Sequence, residues 1–259
     1  MLEARNVSKV FRGRRSAAPV VAVDDVSLQA APGEFVAIVG ESGSGKSTVA
    51  RMLLDLITPT SGSVLLDGRE VRALNSADTR GYRRQVQAVL QDPAGSLNPR
   101  KRVDRTIGEV IRLHDIARGP DVRAKIAQTL DLVGMSPAGR FMDRFPHELS
   151  GGQRQRVLIA RALALDPRII VADEAVSALD ASVKAGVLRV MVDLKDRLGV
   201  GFVFITHDLP VVEKVADRVY VMRHGRVVEE GPKDRIFQSP EHPYTQMLLA
   251  AAPTLAPTT

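Results

Sequence analysis

The residues Gly40-Glu41-Ser42-Gly43-Ser44-Gly45-Lys46-Ser47-Thr48 follow the apolar run Phe35-Val36-Ala37-Ile38-Val39 and fit the phosphate-binding pattern G-x4-G-K-[ST]. Glycines let such a turn bring backbone N–H groups around an anion, and a helix opening behind it adds its positive N-terminal end. Lys46 supplies a mobile cation, and the Ser47 hydroxyl suits Mg²⁺. A pair of acids ends a second apolar run, Ile169-Ile170-Val171-Ala172-Asp173-Glu174. Adjacent carboxylates at a strand end are common on surfaces. Beside a phosphate-binding loop they acquire distinct roles, Asp173 serving the metal and Glu174 an attacking water, because neighbouring strand residues face opposite sides.

These groups need a scaffold that brings strand ends together. Apolar stretches of strand length alternate with helical patterns along most of the chain, which predicts an α/β domain around a largely parallel sheet. Strands are expected at 20–28, 35–39, 63–66, 86–90, 169–172, 202–205, 218–222 and 226–229, the early pair forming an antiparallel annex. Between Lys46 and Leu56 the residues Val49, Ala50, Leu53 and Leu54 keep helical spacing, and Pro59 stops that helix. From 93 to 148 strand signals give way to two amphipathic helices, around 103–114 and 121–133, with the Gly119-Pro120 pair between them. This segment reads as an inserted helical subdomain.

Composition narrows the classes. A chain of 259 residues, 44% hydrophobic and 25% charged, is ordinary for a packed globular protein of one large domain or a domain with a subdomain. No apolar run approaches the roughly 18 residues of a membrane span, and Met1-Leu2-Glu3-Ala4-Arg5 lacks a signal-peptide core, so a cytoplasmic location is expected. Zero cysteines exclude disulfides, thiolate metal sites and cysteine nucleophiles. Zero tryptophans and 4% aromatics leave little for stacking on nucleic-acid bases. The net charge of +6 is spread in small clusters, Arg12, Arg14 and Arg15, Arg83 and Arg84, and Arg100, Lys101 and Arg102, which reads as a solvated surface and not a nucleic-acid stripe.

Leu149-Ser150-Gly151-Gly152-Gln153-Arg154-Gln155-Arg156 has the chemistry of a helix start, Ser150 as N-cap and two glycines allowing close approach to an anion. By identity it resembles the L-S-G-G-Q signature of the ATP-binding-cassette (ABC) ATPases. Gln91 after a strand, Asp173-Glu174, Ser177-Ala178-Leu179-Asp180 and Thr206-His207-Asp208 after another strand agree with that family in order, making six ordered motifs with the phosphate loop and the signature. The resemblance implies an α/β fold of the P-loop NTPase class: an ABC cassette with a RecA-like core, antiparallel β annex and inserted helical subdomain. It implies one ABC ATPase domain, with residues 1–92 and 150–231 forming the nucleotide-binding core and annex, 93–149 the helical subdomain, and 232–259 a tail.

Roles follow position by position from that resemblance. ATP and Mg²⁺ are the implied cofactors. Phe11 stacks on adenine, Gly40 to Thr48 wrap the phosphates, Ser47 and Gln91 ligate Mg²⁺, and Asp173 holds it. Glu174 is the base or water-orienting group, His207 contacts the γ-phosphate, and Lys46 offsets charge in the transition state. Ser150, Gly151, Gly152 and Gln153 close on the nucleotide of a second ABC ATPase subunit, in a homodimer or heterodimer, with Asp180 helping across the interface.

Two segments resemble the oligopeptide, dipeptide and nickel importer branch: Leu90-Gln91-Asp92-Pro93-Ala94-Gly95-Ser96-Leu97-Asn98-Pro99-Arg100, and the tail from Pro240-Glu241-His242-Pro243-Tyr244-Thr245-Gln246-Met247 to Pro253. Read physically, the tail is a short amphipathic helix after a Pro-bounded turn. Asp173-Glu174-Ala175-Val176-Ser177-Ala178-Leu179-Asp180 also follows that branch's preference. The branch implies an ATPase subunit peripheral on the cytoplasmic face of the membrane, energising import of peptides or a related small solute. Its partners would be two membrane permeases, whose coupling helices meet residues near Gln91 to Arg102, and indirectly an extracytoplasmic solute-binding protein; no nucleic acid is expected. An alternative is a non-transport subunit of a soluble complex, such as the carbon–phosphorus lyase cassettes. A nucleic-acid repair ATPase is weaker, since the segment between Gln91 and Ser150 is too short for a long coiled coil. Leu90 stands where the branch often carries Phe, and without a cysteine cluster no iron–sulfur role is expected. No role follows for Arg12 to Arg15.

Overall fold

The computed structural model describes residues 1–12, 18–90 and 93–251. Its first half runs β1 (Leu2–Phe11), β2 (Val20–Ala30), β3 (Phe35–Val39), α1 (Lys46–Leu53), β4 (Ser61–Leu66), β5 (Arg69–Glu70), α2 (Ser76–Gln85), β6 (Val86–Val89), α3 (Pro93–Ser96), α4 (Val103–Leu113), α5 (Asp121–Leu132) and α6 (Gly139–Met142). The second half runs α7 (Gly151–Leu163), β7 (Ile169–Asp173), α8 (Ala181–Leu198), β8 (Gly201–Ile205), α9 (Leu209–Val215), β9 (Arg218–Arg223), β10 (Arg226–Pro232), α10 (Lys233–Gln238) and α11 (Pro243–Ala250).

Six strands form the main sheet in the order β10-β9-β3-β8-β7-β6, with β10 antiparallel to β9 and the other neighbours parallel. All five residues of β3 and of β8 are buried, as expected of central strands covered on both faces. Alternation divides them between two layers. Ile170, Ala172, Phe202 and Phe204 join the core built with α4, α5, α7 and α8, while Val36, Ile38, Ile169, Val171, Val203 and Ile205 face the core shared with α1 and the annex. Phe35 stacks on Phe202 with ring centroids 5.2 Å apart and tilts against Phe204 at 5.6 Å.

The annex is a four-stranded antiparallel sheet, β2-β1-β4-β5; of the early pair expected at 20–28 and 35–39 only the first lies in it, since the wholly buried run 35–39 is β3 of the main sheet, and β2 and β4 are themselves separated by a strand. The strand between them, β1, carries no clean alternation. Its register shifts between Ala4 and Val7, where Asn6 adopts φ 47°, and this bulge moves the buried set from Leu2 and Ala4 to Val7. Helix α2 is also absent from the expectations above: only Tyr82 on it is buried, and its start is fixed by the Asn75 side chain accepting from Asp78 N at 2.9 Å. Helices α3 to α6 fill the stretch between β6 and α7, and Ile107, Ile111, Val122, Ile126 and Leu130 bury the apolar stripes of α4 and α5 in one core.

Candidate functional site

Because the strands run parallel, the segments leaving β3, β7 and β8 emerge at one edge of the sheet, where ligands of open α/β sheets gather. The loop after β3 turns directly into α1. Gly45 sits at φ 100° as the N-cap of that helix, and a Cβ there would lie 2.4 Å from the Ala22 carbonyl oxygen, so only glycine fits. Residues Ser42, Gly43, Gly45, Lys46, Ser47 and Thr48, with Ala22 and Glu174, line a cavity of about 180 Å³. Ala22 on β2 had no motif to announce it.

Lys46 is buried, and its Nζ donates to the carbonyls of Gly40 (2.7 Å) and Glu41 (2.8 Å) and to Ser44 Oγ (3.3 Å). Burial lowers its pKa, opposed by the carboxylates of Glu174, Asp173 and Glu41. Ser47 Oγ donates to Asp173 Oδ1 at 3.1 Å, joining the first turn of α1 to the end of β7. Burial pushes the Asp173 carboxyl up, against the Ser47 hydrogen bond and the charges of Arg51 and Lys46. Two hard oxygen donors, one on a half-buried carboxylate whose charge is disfavoured, fit a small divalent cation such as Mg²⁺. Gln91, the other ligand suggested by resemblance, lies outside the described residues.

Glu174 follows β7 in a left-handed conformation, φ 48°, with its N–H donating to the Ile205 carbonyl at 2.9 Å. That turn places its Oε1 3.4 Å from His207 Nδ1, beyond the end of β8. Thr206 and Asp208 frame the histidine: Asp208 N donates to Thr206 Oγ1 (3.0 Å), and the Asp208 carboxylate pairs with Lys184 (2.6 Å). Phe11 closes β1 opposite Val20, exposed, with Lys9 Nζ 5.4 Å from its ring centroid. It is absent from the cavity lining.

The signature residues lie elsewhere. Ser150 caps α7 in a reciprocal box, Ser150 Oγ accepting from Gln153 N (3.2 Å) and Gln153 Oε1 from Ser150 N (3.0 Å). Gly152 packs under α8, where a Cβ would meet Val183 Cγ1 at 2.3 Å. Asp180 caps α8 by accepting from Val183 N at 3.0 Å. Ser150, Gly152 and Gln153 line a groove with Ser182 and Val183 that shares no residue with the cavity at the phosphate loop. The structure thus brings the loop, Asp173, Glu174 and His207 to one edge and leaves Ser150 to Gln153 and Asp180 apart from it.

Two family models match the chain. The family model described as "ABC transporter" matches residues 23–177, and that for the "Oligopeptide/dipeptide transporter, C-terminal region" matches residues 228–259. The glutathione import ATP-binding protein GsiA of Escherichia coli (strain K12) is 45% identical over 238 residues, 92% of this chain and 38% of that protein. Its counterpart from Salmonella paratyphi A is 44% identical over the same shares. The chain therefore spans about 38% of the length of the curated relatives it matches. Among solved structures, the dimeric MJ0796, a bacterial ABC transporter cassette, superposes with a TM-score of 0.77 at 30% identity, covering 90% of this chain and 99% of that one. MJ0796 bound to ADP and Pi gives a TM-score of 0.78 at 31% identity with the same coverage.

Proposed function

We propose, because this chain belongs to the ABC transporter family, that it is an ATP-hydrolysing subunit energising import of peptides or a related small solute across the cytoplasmic membrane. The observation that carries the ATPase reading is the placement of Glu174 in the cavity lined by Lys46 and Ser47, beside His207. Backbone N–H groups of the loop and the N-terminal end of α1 receive the ATP phosphates, and Lys46 exchanges its carbonyl partners for phosphate oxygens. Ser47 and Asp173, with Gln91, would hold Mg²⁺, which supplies charge neutralisation on the phosphates. Glu174 accepts or orients the proton of the attacking water, and His207 steadies Glu174 and meets the γ-phosphate. Phe11 stacks on the adenine at the exposed end of β1.

The separation of the signature groove from the loop cavity supports a site shared between two subunits. Ser150, Gly151, Gly152 and Gln153 of one subunit, with Asp180, cover the nucleotide bound by the other, so ATP holds the pair closed and product release opens it. The importer reading rests on the tail match at 228–259 and on the relatives' described role in glutathione import, glutathione being itself a small peptide. Membership of a soluble non-transport complex has no comparable support. The subunit binds peripherally at the cytoplasmic face, and among the described residues no helix is long and apolar enough to cross a membrane. We assign residues 1–92 and 150–231 to the nucleotide core and annex, 93–149 to the helical subdomain and 232–259 to the tail, with residues near Gln91 to Arg102 receiving the permeases' coupling helices.

The test is twofold. Purified protein should release phosphate from ATP in a Mg²⁺-dependent manner, and the chain should co-purify in detergent with multi-span permeases. ATP hydrolysis without any membrane partner would overturn the importer reading.

A further inference from the structure

The first residue after the glycine that opens the phosphate loop is gripped from two sides. Glu41 carbonyl oxygen accepts from Lys46 Nζ at 2.8 Å, and Glu41 N–H donates to the Tyr244 hydroxyl at 3.1 Å, across 203 positions of sequence. Tyr244 lies on α11 and is 2% exposed, packed in one cluster with Val39 at the end of β3 and Val221 on β9. The Arg223 guanidinium sits 4.7 Å from its ring centroid. Burial raises the phenol's pKa.

The position of that ring is itself fixed from the main sheet. Glu229 on β10 is buried, and its carboxylate accepts from Glu241 N (2.9 Å) and His242 N (3.1 Å) immediately before α11. His242 Nδ1 then accepts from Tyr244 N at 3.1 Å, capping the helix. The β9–β10 turn braces the same loop from another direction, Gly225 N donating to the Ser44 carbonyl at 3.0 Å. A loop that must present several N–H groups to one anion gains affinity from being held in that shape beforehand, since ordering costs are then not met on binding.

We infer that Tyr244 is a positioning residue of the nucleotide site: its hydroxyl, set by the Glu229–His242 anchor of the C-terminal helix, holds Glu41 and with it the phosphate loop in the ATP-receiving shape. This rests on the ATPase reading above. It makes the tail a working part of the ATP site rather than an appendage to the cassette.

The test compares wild-type protein with Tyr244→Phe, which keeps the ring and its packing and removes only the hydroxyl. The expected result is a KM for ATP raised about fivefold, with a matching rise in Kd for a fluorescent ATP analogue, kcat changed less than about twofold and Tm within about 1 °C. Glu229→Gln, which weakens the anchor and leaves the phenol in place, should raise KM in the same direction by a smaller factor. Unaltered KM and Kd in Tyr244→Phe would overturn the inference, and a lowered Tm with unaltered KM would leave Tyr244 a packing residue only. A wild-type protein that binds no ATP would instead remove the reading underneath.

Discussion

His207 Nδ1 and Glu174 Oε1 lie 3.4 Å apart although 33 positions separate them, because each follows one of two adjacent parallel strands and Glu174 N–H is tied to the last residue of the other. This contact aims a carboxylate into the loop cavity. Glu174→Gln keeps the shape and removes the charge. Phosphate release should fall by at least about 100-fold, the usual contribution of a positioned base, with ATP still bound. Phosphate assay and nucleotide titration check the two halves, and sedimentation should find the variant held as a closed dimer in Mg·ATP. Unchanged turnover would remove Glu174 from the chemistry.

Lys46→Ala takes away the only side-chain cation lining the loop cavity among the described residues. ATP affinity itself should drop at least about tenfold, the scale of one hydrogen bond to a charged group. Equilibrium titration reads this directly, and undiminished affinity would sink the assignment.

Asp173→Asn should separate stability from function. Burial sets the Asp173 pKa above its unfolded value, so above both values the ionised carboxylate costs the folded state. Removing the charge should raise Tm at pH 7, while Mg²⁺-dependent turnover disappears. The gap over wild type should close as pH falls through the raised pKa, because wild type then carries the neutral acid too. Melting curves at several pH values check the sign.

Ser150→Ala removes the cap of α7, for which about 1 kcal/mol of stability is expected to be lost. ATP affinity of the isolated subunit should stay as it was, since the loop cavity contains no part of α7. On the proposed shared site the partner's nucleotide loses a contact, so turnover should fall. Equal loss of affinity and turnover would argue against a site shared between subunits.

Much of the fold was legible in local pattern. The strands expected at 35–39, 169–172 and 202–205 appear within a residue at either end, because each is a short, wholly apolar run bounded by turns. Helices α4 and α5 were legible from apolar spacing and from the Gly119-Pro120 stop. Strand β1 was not, because the bulge at Asn6 breaks its alternation, and α2 was not, because a helix with one buried residue has no apolar stripe. Around the site, Ala22 and Tyr244 escaped for a different reason: neither has a local pattern tied to the loop it touches.

The sequence by itself determined the chemical types and their order: a glycine-rich loop with its lysine behind one strand, two acids behind another, a histidine behind a third, and a serine-capped glycine pair opening a helix. Each is a local matter, dictated by turn geometry, capping and strand ends within a few residues. Which of them meet was decided by the tertiary structure alone. Parallel pairing of β3, β8 and β7 carries Ser47, Asp173, Glu174 and His207 to one edge. The packing of α7 against α8 holds Ser150 and Gly152 away from it, and a carboxylate on β10 sets Tyr244 against the backbone of Glu41. These are contacts across 12 to 203 positions, and their partners are selected by sheet order and core packing, which no short stretch of chain contains.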